Sequence, residues 1–258
     1  MKTIKLNEKK LKVLKMRDKT DNYFIEHELI SMPYRICIFA SSGQGKSNLL
    51  GGLLLNENYK YYQIIKKHPE RVFIFSPTIY ADNKLMTIVN QLDIEDSNLI
   101  EDYSDEILLQ VYDSIVEDFK ERINDGKKIL PSWIIMDDLS FSGALANRFA
   151  GLSKLYSNSR KFMVNIITLA QAYTQLAKNI RLQSTAVFIF NTNNKELSII
   201  EEEHNYLESG KKGFFKMFRD NVKKRIGEFL LINYSNNDNN RLYYDKDFKM
   251  IDVKQYDK

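Results

Sequence analysis

The sequence predicts an α/β fold with a mostly parallel central β-sheet flanked by helices. Short, nearly all-apolar segments alternate with longer stretches of helical periodicity, which is typical of βαβ units. Strands covered by helices on both faces are apolar along their whole length. The segments that meet this description are Tyr34–Phe39, Arg71–Phe75, Trp133–Met136, Met163–Leu169 and Ala186–Phe190.

Helical periodicity and turn residues complete the predicted layout. Apolar residues recur every three or four positions over Ile107–Ile123, which predicts an amphipathic crossover helix between the second and third strands. A polar helix is predicted at Asn193–Leu207, followed by a basic stretch, Lys211–Arg225. Glu228–Tyr234 and Arg241–Tyr244 flank an asparagine-rich turn, so we predict a C-terminal antiparallel hairpin that extends the sheet.

Composition favours one globular domain after a basic arm. The chain has 258 residues, of which 43% are hydrophobic and 12% aromatic, and this excludes a disordered chain. Residues 1–30 are predicted to be an N-terminal arm and residues 31–258 a single domain, which includes the basic stretch and hairpin at 208–258. The net charge of +4 is too small to indicate a nucleic-acid partner by itself.

Other function classes are excluded by what the sequence lacks. No segment reaches the roughly 18 apolar residues of a membrane span, so a soluble, intracellular protein without a membrane span is expected. The single cysteine, Cys37, excludes a disulfide within the chain. His27, His68 and His204 show no metal-ligand spacing with one another or with Cys37.

The segment after the first strand carries the phosphate-binding pattern G-x-x-x-x-G-K-[ST]. Only the first glycine is replaced, by Ala40, at a position that needs a small side chain. The glycines let backbone N–H groups turn toward phosphates, and the following helix adds the positive end of its dipole. Lys46 is expected to bind the β- and γ-phosphates of ATP, and Ser47 to bind Mg²⁺. The predicted nucleotide-binding residues are Ser41, Ser42, Gly43, Gln44, Gly45, Lys46, Ser47 and Asn48.

The third predicted strand ends in two acids, as a Walker B strand does. Asp137 is expected to hold Mg²⁺ directly or through water. Asp138 stands where additional-strand ATPases have a glutamate that polarises the attacking water. The structural alternative for both is a helix start after the strand, because aspartate caps helices well.

The number of residues between the phosphate loop and the two acids indicates which class of P-loop protein this is. About ninety residues separate Lys46 from Asp137, and they contain a strand and the long crossover helix. This favours a RecA-like additional-strand (ASCE) P-loop ATPase. The next strand leads to Gln171, which is expected to sense the γ-phosphate or orient the water, unless it is a solvated loop residue. Asn193-Asn-Lys-Glu matches a guanine-reading motif only loosely, so adenine nucleotide is expected.

Four features of the chain together resemble one family. The chain is similar to the viral genome-packaging ATPases of the FtsK–HerA superfamily, as found in large eukaryotic DNA viruses, virophages and double-jelly-roll elements. The resemblance extends from about Pro33 through the terminal hairpin. The features are Phe73–Thr78, Ile134–Asp138, Asn158–Arg160 before the strand that leads to Gln171, and Ile180–Arg181.

The resemblance implies an ATPase that moves double-stranded DNA into a preformed capsid. It implies a homo-oligomeric ring, a pentamer or hexamer, that meets a capsid portal or vertex protein, in the host cell cytoplasm or at a viral assembly site, with association to the virion. A ring also needs an arginine finger, whose planar guanidinium stabilises charge on the transferring phosphate. Arg160 is similar by position to the family's trans-acting arginine, Arg181 is a second candidate and Arg148 a third. An ordinary ion pair is the alternative for each.

Two alternative functions and the residues that contact DNA are left open by the sequence. A cellular or mobile-element DNA-pumping ATPase of the same superfamily would share every site residue. A nucleotide-dependent switch or binding module without turnover is suggested by Asp138 in place of glutamate. Lysines along Lys211–Arg225 are candidates for contacts to DNA phosphates, which carry no sequence information.

Overall fold

The computed structural model describes residues 23–27, 29–139, 150–223, 225–235 and 242–257. Within these ranges an eight-stranded sheet lies between two layers of helices. The strands are β1 (Arg35–Phe39), β2 (Val72–Phe75), β3 (Leu99–Ile100), β4 (Ser132–Met136), β5 (Val164–Ala170), β6 (Ala186–Phe190), β7 (Phe229–Asn233) and β8 (Tyr243–Tyr244). The helices are α1 (Lys46–Leu54), α2 (Lys60–Ile65), α3 (Asn83–Leu92), α4 (Asp105–Asn124), α5 (Ala150–Asn158), α6 (Lys178–Arg181), α7 (Asn194–His204) and α8 (Gly210–Asn221).

The strand order is β3-β2-β4-β5-β1-β6-β7-β8. Strands β1 to β6 pair in parallel, whereas β7 and β8 pair antiparallel and extend the sheet beyond β6. Strand β5 lies between β1 and β4, with Ile38 opposite Leu169 on one side and Ile135 opposite Ile167 on the other. This inserted strand confirms the predicted additional-strand α/β fold, and the antiparallel pairing confirms the C-terminal hairpin.

Alternation of side chains along each strand supplies both hydrophobic layers. In β1, Cys37 and Phe39 contact the cluster that contains α4, α5, α7 and α8. Ile36 and Ile38 contact the cluster on the other face, which contains α1, α2 and α3. Because both faces are covered, a strand with polar alternation would place unpaired groups in one of the cores.

Most predicted elements lie within a few residues of the observed ones. Helix α4 contains the predicted crossover helix, and Ser104 begins it by accepting a hydrogen bond from the Ile107 backbone N–H at 3.1 Å. Helix α7 ends at His204 rather than Leu207, because Asn205 adopts an extended backbone. Strand β3 was not predicted, since a two-residue strand has no periodicity to detect.

The last residues of the predicted N-terminal arm pack against the domain. Ile25 forms an antiparallel bridge with Met32, and Ile30 is fully buried beside Tyr61 of α2. Residues 1–22 lie outside the described part of the chain, as do Arg148 and the turn of the C-terminal hairpin. None of the helices that the structure describes is long and apolar enough to cross a membrane.

A buried amide connects the additional strand with the two strands that flank it. Asn165 of β5 accepts a hydrogen bond from the Tyr34 backbone N–H at 3.1 Å and donates to the Ser132 carbonyl at 3.2 Å. Its side chain is fully buried, so neither partner has water as a substitute. The amide therefore fixes the alignment of the strand starts of β1, β5 and β4.

We predict that Asn165→Leu lowers the free energy of unfolding by about 1–3 kcal/mol for each backbone group left unpaired. Urea unfolding followed by circular dichroism measures this change. Asn90→Leu, which removes an exposed amide from α3, is the matched control and should change stability by less than about 0.5 kcal/mol. Equal midpoints for the two variants would contradict the role of Asn165.

Candidate nucleotide-hydrolysis site

The carboxyl ends of three adjacent parallel strands meet at one pocket. The phosphate loop follows β1, Asp137 and Asp138 follow β4, and Gln171 follows β5. Such an edge is where open α/β sheets bind ligands. The pocket has a volume of about 500 Å³. Its described lining residues are Ser41, Ser42, Gly43, Gly45, Lys46, Ser47, Thr78, Ala81, Asp82, Asn83, Lys84, Asp137, Asp138 and Gln171.

The phosphate loop depends on glycine at two positions. Gly43 and Gly45 have backbone φ angles of 76° and 110°, which L-residues with side chains rarely adopt. Gly45 is also the residue from which α1 begins, so the first N–H groups of that helix lie at the pocket. The outer side of the loop is fixed by a hydrogen bond from the Gly227 N–H to the Gln44 carbonyl at 3.0 Å.

Two of the predicted loop residues do not line the pocket. Gln44 uses its carbonyl to bind Gly227, and Asn48 is exposed on α1. Lys46 does line the pocket, and its Nζ donates to the Ala40 carbonyl at 2.8 Å. Burial lowers the pKa of Lys46, while the nearby charges of Asp137 and Asp138 oppose that shift. The loop thus places one ammonium group opposite two carboxylates.

Asp137 is the more buried of the two acids, with 6% of its surface exposed. Its backbone N–H donates to the Phe75 carbonyl at 2.9 Å, which continues the pairing of β4 with β2. Burial raises the pKa of the Asp137 carboxyl to about 6, with a further increase from the charges of Asp138 and Asp82 and a decrease from Lys46. An added cation would therefore relieve an unfavourable buried negative charge.

Asp138 and Gln171 contact each other directly. The Gln171 Nε2 donates to the Asp138 Oδ1 at 2.9 Å. Asp138 has a backbone φ of 51°, a left-handed conformation that turns the chain sharply at the end of β4. Gln171 is therefore not a solvated loop residue, because its amide lies against the second acid inside the pocket.

The loop that follows Gln171 is held by α7. The backbone N–H groups of Gln171 and Ala172 both donate to the Gln175 Oε1 at 2.9 Å. The Thr174 N–H and hydroxyl donate to the carboxylate of Glu196 at 3.0 and 2.6 Å. These bonds restrict the backbone from which the Gln171 side chain projects.

Arg181, the second candidate for an arginine finger, has partners inside its own subunit. Its guanidinium donates to Glu203 at 3.0 and 2.5 Å and to the Leu176 carbonyl at 2.6 Å. It also stacks over the Tyr173 ring at 4.4 Å, and only 6% of Arg181 is exposed. In this arrangement Arg181 connects the Gln171 loop to α7.

Arg160 lies at the opposite edge of the sheet from the pocket. It precedes β5, whose seven residues span about 23 Å between Arg160 and the pocket edge. Its side chain is exposed and its guanidinium lies 4.8 Å from the Phe24 ring centroid. Arg160 therefore does not reach the pocket of its own subunit.

The pocket has a further wall that sequence reasoning did not assign. Thr78, Ala81, Asp82, Asn83 and Lys84 follow β2 and line the side next to Asp137 and Asp138. Asp82 begins α3 by accepting hydrogen bonds from two backbone N–H groups at 2.8 and 3.1 Å. An aspartate before a helical segment is a cap signal, but it does not indicate that the cap faces a ligand.

The donor set fits Mg²⁺. Ser47 and Asp137 offer a hydroxyl and a carboxylate oxygen in one pocket, and Mg²⁺ prefers oxygen ligands. No group of three or more His, Cys, Asp or Glu side chains could hold a metal ion within the described residues. Mg²⁺ in phosphate-transferring sites needs no such group, because one or two protein ligands, phosphates and water complete its shell.

One family model accounts for nearly the whole chain. The model described as the poxvirus A32 protein matches residues 21–258. The chain belongs to this family. Its membership confirms the resemblance to viral packaging ATPases of the FtsK–HerA type. A comparison with curated proteins gave no significant match.

Solved structures share the fold at low sequence identity. The DNA-packaging ATPase B204 from Sulfolobus turreted icosahedral virus is 14% identical, with a TM-score of 0.54 over 84% of this chain and 98% of that one. B204 from Sulfolobus turreted icosahedral virus 2 in complex with AMPPCP is also 14% identical, with a TM-score of 0.52 and the same coverage. EssC (ATPases 2 and 3) from Geobacillus thermodenitrificans is 14% identical, with a TM-score of 0.56 over 87% of this chain and 42% of that one.

We predict that Mg²⁺-dependent nucleotide affinity falls as pH decreases through about 6. The reason is that Asp137 must be ionised to bind the cation, and its pKa is about 6. Below that pH the metal-dependent part of the affinity should fall by about tenfold per pH unit. The protein is titrated with a fluorescent ATP analogue, once with Mg²⁺ present and once with EDTA. The difference between the two affinities is the metal-dependent part.

Asp137→Asn is the control for this pH dependence. It should lack the Mg²⁺-dependent increase at every pH while keeping the metal-independent binding that Lys46 and the loop supply. A wild-type increase that stays constant from pH 7.5 to pH 5 would show that Asp137 does not bind the metal.

Proposed function

We propose that the chain is an ATP-driven double-stranded DNA translocase that packages a viral genome into a preformed capsid. One observation carries the proposal: Lys46, Asp137, Asp138 and Gln171 converge in one pocket because β5 lies between β1 and β4. Family membership supplies the viral context. B204, which shares the fold, is itself a DNA-packaging ATPase. This favours the viral reading over a cellular or mobile-element pump.

Each residue of the pocket is assigned one role in ATP hydrolysis. We assign Lys46 and the loop N–H groups to the β- and γ-phosphates, and Ser47 and Asp137 to Mg²⁺, which when bound neutralises developing phosphate charge. Asp138 orients the attacking water and accepts its proton. We assign Gln171, which contacts Asp138 at 2.9 Å, to sensing the γ-phosphate or orienting that water.

The position of Arg160 supports a shared active site. An arginine at the far edge of its own sheet, about 23 Å from its own pocket along β5, does not reach that pocket, so a role in hydrolysis would be at the pocket of another subunit. We therefore assign Arg160 as the trans-acting finger in a homo-oligomeric ring of five or six copies. The buried pair of Arg181 with Glu203 favours Arg160 over Arg181 for this role.

DNA is proposed to contact the basic face of α8. Lys211, Lys212, Lys216 and Arg219 are exposed, whereas Phe214, Met217 and Phe218 on the other side are buried. Lysines that bind phosphates accept any sequence, which genome packaging requires. The remaining proposed partner is a capsid portal or vertex protein, which the enzyme meets in the host cytoplasm or at the viral assembly site. Association of the enzyme with the virion is part of this proposal.

A nucleotide-dependent switch without turnover is the second candidate. The observation that favours it is the hydrogen bond that ties Asp138 to Gln171, because a bound carboxylate is less free to accept a proton. Steady-state hydrolysis distinguishes the two candidates.

We predict that double-stranded DNA stimulates ATP turnover, and that Arg160→Ala and Asp138→Asn are each inactive alone but regain activity when mixed. Mixed rings contain interfaces with one intact finger and one intact acid, so complementation requires a shared site. Loss of an arginine finger should lower kcat by about 10³-fold or more. Turnover is measured as phosphate release.

Lys161→Ala, which removes the neighbouring exposed cation, is the matched control and should keep DNA-stimulated turnover. Two results would count against the proposal. If DNA does not change the rate of ATP turnover, the chain is not a DNA translocase. If mixing the two variants does not restore activity, Arg160 does not act in a shared active site.

A further inference from the structure

The wall of the pocket that follows β2 lies beside the two acids. Because β2 pairs with β4, with Phe75 opposite Met136, this wall is adjacent to Asp137 and Asp138. The strand order places it on the far side of those acids from the phosphate loop, which follows β1. The charge of Asp82 in this wall acts on the Asp137 carboxyl, so the two are close enough to interact electrostatically.

The backbone of Lys84 is fixed by a hydrogen bond, whereas its side-chain ammonium group extends into the pocket without a protein partner among the described residues. Its N–H donates to the Asp82 Oδ1 at 2.8 Å, which fixes the first turn of α3. Its side chain is exposed and lines the pocket. In the part of the chain that the structure describes, its ammonium group makes no ion pair or hydrogen bond. A lysine in this position is ready to bind an anionic ligand.

The charges in the pocket show why a second cation matters. Among the described lining residues, Asp82, Asp137 and Asp138 carry negative charge, and Lys46 and Lys84 carry positive charge. A triphosphate adds further negative charge, and its transfer spreads charge over the outer oxygens of the γ-phosphate. Lys46 approaches from the phosphate loop, so a cation on the opposite wall would stabilise oxygens that Lys46 does not contact.

We propose that Lys84 binds the γ-phosphate of ATP from the wall opposite Lys46, in the same subunit, and so lets the pocket distinguish ATP from ADP. The proposal rests on the assignment of this pocket to ATP hydrolysis. Phosphate is the matching ligand group, because the described lining residues include no aromatic side chain on which a base would stack. Lys84 then complements the finger from the neighbouring subunit with a cation that needs no neighbour.

The test compares Lys84→Met, which removes the charge but keeps the length, with Lys84→Arg, which keeps the charge. Binding of a non-hydrolysable ATP analogue and of ADP is measured with Mg²⁺ present, together with kcat/KM for ATP. Loss of a charge-assisted contact should weaken analogue binding and lower kcat/KM by about tenfold or more. ADP affinity should stay within about twofold, and Lys84→Arg should recover most of the loss.

Lys67→Met, a change at an exposed lysine that does not line the pocket, is the control and should leave all three quantities unchanged. The proposal is overturned if Lys84→Met weakens the analogue and ADP equally, or weakens neither. Absence of ATP turnover in the wild type would instead contradict the proposed function, and the ratio of analogue to ADP affinity would still decide the role of Lys84.

Discussion

The insertion of β5 between β1 and β4 is the constraint on which the site depends. Parallel strands end at the same edge, so this order brings the phosphate loop, the acids after β4 and Gln171 after β5 into contact distance. The hydrogen bond between Gln171 and Asp138 is a direct result of that adjacency. A sheet with β1 beside β4 would leave no strand end from which an amide could reach the second acid.

The same geometry places several carboxylates close together, and their repulsion is relieved when a cation binds. Three carboxylates converge at the pocket, and burial raises the pKa of Asp137 to about 6. Mg²⁺ would relieve that negative charge, while Lys46 and the N–H groups of the loop prepare the pocket for phosphate. Without ligand the carboxylates repel one another, and bound magnesium together with a triphosphate would compensate the charges on both sides of the pocket.

Much of this arrangement could be predicted from the sequence because it is encoded locally. Apolar runs marked the five longer parallel strands, and the glycines and Lys46 marked the phosphate loop within eight residues. The wall that contains Lys84 was not predicted, because its position depends on the pairing of β2 with β4 rather than on a local pattern. The buried ion pair of Arg181 was not predicted for a related reason, since its partner Glu203 is 22 positions away on α7.

Hydrolysis at the converged pocket is tested by measuring magnesium-dependent ATP binding and steady-state ATP turnover on the same preparations of wild type, Lys46→Ala and Asp138→Asn. If the converged pocket is a hydrolytic site, Lys46→Ala should lose both binding and turnover. Asp138→Asn should bind ATP as the wild type does but turn it over at least about 100-fold more slowly, because only the proton acceptor is lost. Undiminished hydrolysis by Asp138→Asn would contradict the account.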